Sequence, residues 1–115
     1  MTSITQQEIE IILKSTHDGM IAVNGSGIVT VFNPAAERIT GLKAKDIVGR
    51  EAVKVIPNTR LHIVLATGTE EINQQQDIDA ATIITNRVPL RDDTGQVIGA
   101  VAVFRDITEI KGLTE

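Results

Sequence analysis

The chain has 115 residues, the size of one domain, and a chain of that length buries roughly two thirds of its unfolded surface, enough for one real core. Hydrophobic residues make up 42% and the aromatic ones are only Phe32 and Phe104, so the core is expected to be aliphatic, with little on which to stack a flat ring. A net charge of −4 with interspersed charges argues against nucleic-acid binding, and the lack of cysteine excludes disulfides, thiolate metal sites and cysteine nucleophiles. No apolar run reaches the ~18 residues of a membrane span. Residues 1–10 lack the basic start and apolar stretch of a signal peptide. A soluble, cytoplasmic protein is expected.

Thr5-Gln6-Gln7-Glu8 forms a capping box, with Ile4 and Ile9 placed as a hydrophobic staple. A helix is predicted over 6–15, with Ile9, Ile12 and Leu13 on one face and Ile11 widening it. Two β-branched runs, 20–23 and 28–32, flank Asn24-Gly25-Ser26-Gly27, a hairpin signal. His17, beside Asp18 at the hairpin entry, reads as turn chemistry. Gly25-Ser26-Gly27 is too short for a phosphate loop and has a turn to explain it.

Asn33-Pro34 opens a short helix, with Asn33 at the N-cap, Pro34 in the first turn and Gly41 as a left-handed stop. Residues 43–48 predict a turn of helix ended by Gly49. A further helix is expected from an Asn58 cap to Thr67, with Leu61, Val64 and Leu65 toward a sheet. The last third reads as β: a polar edge strand over 72–78, a stronger one over 81–90, a turn at Asp92-Asp93-Thr94-Gly95, and a strand over 97–105. Asp106, with Glu109 three residues on, caps a new helix. The expected fold is α+β: a five-stranded antiparallel sheet with helices on one face and an N-terminal flanking helix.

In this order the segments resemble the PAS family across almost the whole chain. Gly19-Met20-Ile21-Ala22-Val23 and the strand after it are similar to the family's opening hairpin. Residues 33–41 (Asn-Pro-Ala-Ala-Glu-Arg-Ile-Thr-Gly) resemble its first inserted helix, and Ile47-Val48-Gly49-Arg50 the segment that follows. Pro89-Leu90-Arg91-Asp92, Gly95 and 104–109 (Phe-Arg-Asp-Ile-Thr-Glu) resemble its last two strands and exit motif. The resemblance divides the chain into a flanking helix (1–16), a PAS domain (17–108) and the start of a connector helix (109–115).

It implies a sensory and dimerisation module rather than an enzyme, attached to a C-terminal output domain. A sigma-54-type transcription activator is the first reading, and the sensor of a histidine kinase, or a dimer module with no ligand, are the alternatives. A small enzyme is the third class, but no nucleophile–base pair, metal cluster or phosphate loop emerges. The same resemblance places Ile83, Thr85 and Arg87 on the pocket side of their strand, against Ile84, Asn86, Val88 and Leu90. It sets Ala100, Ala102 and Phe104 inward in the last strand, with Ile98, Val101 and Val103 outward.

The ligand-site candidates are Arg87, Thr85, Asn86, Arg60, His62, Phe32, Ala102 and Phe104. A guanidinium in an aliphatic pocket needs a carboxylate, so Arg87 is expected to meet Glu37, Asp46 or a small carboxylate ligand. Asp106 and Thr108 are the relay candidates. Ile9, Ile12, Leu13, Ile98, Val101 and Val103 are the expected homodimer surface. No cofactor and no metal are predicted: cysteine-adduct flavin is excluded, and haem, which would call on His62, is disfavoured. Direct contact with nucleic acid or membrane is not expected.

Overall fold

The computed structural model describes residues 8, 11, 16–78 and 81–108. Glu8 and Ile11 are helical; the rest of the predicted first helix, including Ile9, Ile12 and Leu13, lies outside the described residues. The first elements are strands β1 (Gly19–Asn24) and β2 (Val29–Phe32). Asn24 shapes the turn between them, its Oδ1 accepting from Ser26 N at 2.9 Å and Ile28 N at 3.1 Å. Four helices follow: α1 (Pro34–Thr40), α2 (Ala44–Ile47), α3 (Ala52–Val55) and α4 (Leu61–Thr67). Strands β3 (Glu71–Ile78), β4 (Ala81–Arg91) and β5 (Val97–Asp106) complete the sheet.

The sheet has five strands in the order β2-β1-β5-β4-β3, every pairing antiparallel. The last strand is the central one: β5 lies between β1 and β4. Its inner residues Ala100, Ala102 and Phe104 are buried, as are Ile83 and Thr85 of β4 and Ile21 and Val23 of β1. Helix α4 covers them with Leu61 and Val64. Burial of these aliphatics is the main stabilising term, at about 25 cal/mol per Å² of apolar surface.

Asn33 ties the hairpin to the helical layer. Its Oδ1 accepts from Ala36 N (2.9 Å) and Met20 N (2.9 Å), and its Nδ2 donates to Asp18 O at 3.0 Å. The predicted cap is thus also a joint between strand entry and helix. Gly41 ends α1 at φ 78°, a conformation that costs a side chain dearly and glycine little. Gly19 answers to a different constraint: a Cβ there would lie 2.3 Å from the Phe104 ring.

One local expectation fails, and one stretch without a predicted element is ordered. Asn58 does not cap α4: it sits at φ 58°, and Arg60 takes the cap position without a side-chain bond. The stretch after Gly49 is more regular than its sequence suggests. Residues 49–51 run along β2, with Gly49 N donating to Val29 O (2.8 Å) and Val29 N to Arg50 O (2.9 Å), before α3 begins. That covers an edge which would otherwise be free to pair with another chain.

Candidate functional site

Alternation along β4 and β5 decides which side chains face the helices. Ile83, Thr85, Arg87, Ala102 and Phe104, with Ile21 from β1, form the floor of a cavity of about 160 Å³. Leu42, Ile56 and Leu61 form the apolar roof, and Asn58, Thr59, Arg60 and Gln76 the polar rim. Small residues on the floor leave this space: Ala102 stands where a larger aliphatic would fill it.

Arg87 is 5% exposed, and its charge is met. Its Nη1 donates to Glu71 Oε1 at 2.8 Å and its Nη2 to Gln76 Oε1 at 2.8 Å. Arg60 grips the same carboxylate from the other side, Nε to Oε1 at 2.9 Å and Nη2 to Oε2 at 2.7 Å. Arg60 and, more weakly, Arg87 hold the Glu71 carboxyl below its usual 4.5, against the opposing effect of partial burial. Asp77 also lines the cavity, so the two guanidiniums are balanced by two carboxylates, of which only Glu71 pairs with them.

Thr85, two residues from Arg87 on the same face, is 2% exposed and lines the cavity. Its hydroxyl makes no hydrogen bond among the described residues. Buried hydroxyls normally find a partner, so this donor and acceptor is turned toward the open space beside Arg87.

The structure brings Arg87, Thr85, Arg60, Ala102 and Phe104 together. It does not bring the other three candidates. Asn86 points to the opposite, exposed face, where its Oδ1 accepts from Asn73 N at 2.8 Å. His62 is exposed and belongs to a separate cleft beside Gly25-Ser26-Gly27. Phe32 is buried in the core, outside the cavity wall. The expected partners of Arg87 are also replaced: Glu37 accepts from Ala44 N at 2.8 Å and Asp46 is exposed on α2, while Glu71 takes the role. Sequence reasoning missed Glu71 and Gln76. The signal was their membership of the same edge strand, hidden by a break in its alternation.

On the outer face Leu90 is 41% exposed and Val101 and Val103 are half-buried; Ile98, at the register shift between β4 and β5, is 50% exposed. At the exit, Asp106 Oδ1 accepts from Thr108 N at 2.8 Å, the bond of a helix cap. Thr108 Oγ1 accepts from Thr82 N at 2.8 Å, which ties the exit to β4. Among the described residues no helix is long and apolar enough to cross a membrane, and no cluster of His, Cys, Asp and Glu could hold a metal ion.

The comparisons with known proteins agree with this architecture. The family model described as PAS fold matches residues 7–107. The sensor protein CitS of Halalkalibacterium halodurans is 42% identical over 111 residues, covering 95% of this chain and 20% of that protein. A probable C4-dicarboxylate sensor kinase of the same organism is 35% identical over 99 residues, covering 86% of this chain and 18% of that protein. The chain thus spans about one fifth of the length of these relatives. The PAS domain of Bordetella pertussis BvgS superposes with a TM-score of 0.68 at 16% identity, covering 94% of this chain and 89% of that one; this likeness speaks for the fold alone. With the sheet order, the inserted helices and the family match in agreement, the chain belongs to the PAS family.

Proposed function

We propose that this chain is the non-catalytic sensory module of a sensor histidine kinase, and that its cavity takes a small carboxylate. The observation that carries the ligand is the unpartnered Thr85 hydroxyl beside Arg87 on the floor of a cavity of about 160 Å³. A carboxylate would accept from both groups, in charge-assisted bonds of the stronger kind. An apolar cavity of about this volume, ~150 Å³, holds a molecule the size of benzene, which sets the scale at a few carbon atoms. The names of two relatives, each a probable C4-dicarboxylate sensor kinase, favour this reading and a kinase output over the transcription activator first expected.

The same reading sets the module in the cytoplasm, beside the kinase's ATP, and calls for no cofactor. His62, which haem would need, stands away from the cavity. It also assigns the outer face around Val101 and Val103, together with Ile98, to a homodimer. Asp106 and Thr108 serve as relay: β5 runs from the cavity floor to the capped exit, so a change at Ala102 or Phe104 reaches the output within one strand.

Isothermal titration with acetate, succinate, malate and citrate tests the ligand. Binding of at least one, weakened tenfold or more by Arg87→Ala, is the expected result. Equal affinity in the Arg87→Ala protein would overturn it.

A further inference from the structure

Glu71 already pairs with Arg87, the guanidinium that a ligand carboxylate would use, and with Arg60 beside it. We propose that it is a resident competitor, an internal carboxylate that an incoming one displaces, and that the exchange frees the Glu71 end of β3. This rests on the carboxylate reading of the cavity.

The burial of the three groups makes the exchange conditional. The Arg87 side chain is 6% exposed, that of Glu71 19% and that of Arg60 47%. An unpaired guanidinium at the depth of Arg87 is costly, so it must have an anion at all times. Glu71 sits nearer the rim and can turn out to water, where its charge is solvated. It can leave only when another anion arrives. The two carboxylates cannot share the guanidiniums comfortably, since each would lie within a few ångströms of the other and like charges repel at that range.

The backbone is arranged for the departure. Glu71 pairs with Arg87, but the next ladder position is Gln74 with Thr85, and the register shifts between them. Ile72 and Asn73 take up the irregularity. Asn73 stands at φ 54°, and its N–H bonds the Asn86 side chain instead of a ladder carbonyl. A break of this kind uncouples the strand on its two sides. Glu71 can therefore move while residues 74–78 keep their pairing to β4. The asparagine expected in the site thus acts from the opposite face, as an anchor for this break.

Calorimetry with acetate and succinate on the wild-type chain and on Glu71→Gln tests the idea. The variant keeps the shape and an acceptor oxygen but gives up the competing charge, so it is expected to bind at least tenfold more tightly. Its melting point should fall without ligand and recover with saturating succinate. Unchanged or weaker binding by Glu71→Gln would mean that Glu71 only supports Arg87, and would overturn the competitor while leaving the carboxylate site standing. No binding to either protein would sink the carboxylate reading itself and the competitor with it. Amide exchange on the wild-type chain needs no variant: saturating succinate should speed exchange at Ile72 and Asn73 and leave the amides of 75–78 unchanged. Equal protection at Ile72 and Asn73 with and without bound succinate would also count against the displacement.

Discussion

The inner face of the sheet is buried in two ways. Toward β2 the core is uncharged: Val23, Val29, Phe32, Ala36, Ala52, Val64 and Ala100 pack together, and the one buried polar residue there, Asn33, has its hydrogen bonds met. Toward β3 the same face carries Arg87, Glu71, Gln76 and Thr85, and a cavity instead of side chains. The first half gains its stability from area removed from water and specifies nothing beyond shape. The second gives up part of that gain, because buried ion pairs barely repay their desolvation, and holds polar groups where a ligand can be recognised. A fold can carry such a costly half when the other half secures it.

Substitutions should separate the halves. Phe32→Ala strikes the packed half and should cost about 3–5 kcal/mol in urea unfolding. Carboxylate affinity of the folded fraction should be untouched, because Phe32 does not line the cavity. Asn33→Ala removes a cap and strands the Met20 N–H; about 2–3 kcal/mol is expected from the cap and the orphaned donor together, again with the site intact. On the polar side, Glu71→Gln should cost about 2 kcal/mol, the worth of hydrogen bonds to charged groups.

That last contribution depends on pH. The Glu71 carboxyl is lowered from 4.5 in the folded state, chiefly by Arg60. Its stabilisation is complete above 4.5 and is lost as the pH falls through the lower folded value. The difference in urea midpoint between wild type and Glu71→Gln should therefore hold from pH 7 to about 5 and shrink below it. A gap that stayed constant down to pH 3 would contradict the assignment. At the small end, Lys54 and Glu51 form an exposed pair at 2.7 Å, and Lys54→Ala should leave the melting point where it was.

The sequence made the packed half easy to read. Asn33-Pro34 with Gly41 marks α1 by capping chemistry alone. On the polar side, alternation separates Ile83, Thr85 and Arg87 from their neighbours, and the PAS resemblance implies that this set faces inward, as it does. The need of Arg87 for a carboxylate also follows from charge and burial. Which carboxylate does not, because Glu71 reaches it through a register shift at Ile72 and Asn73 that no period of two foretells. Asn58 and Asn86 show the same difficulty. Asparagine suits caps, left-handed turns and side-chain bonds to strands alike, and only the neighbouring strands decide among them. His62 was placed on the right helix, but a helix of seven residues has several faces, and the flanking residues do not fix which one turns inward.

The most direct test of a carboxylate held on Arg87 and Thr85 is a ¹⁵N–¹H NMR titration with succinate. Saturable shifts should concentrate on Thr85, Arg87, Gln76 and Ala102, with the Arg87 side-chain Nε–H among the largest, and the outer residues Val101 and Leu90 should stay still. No saturable shift, or shifts centred on that outer face, would contradict it.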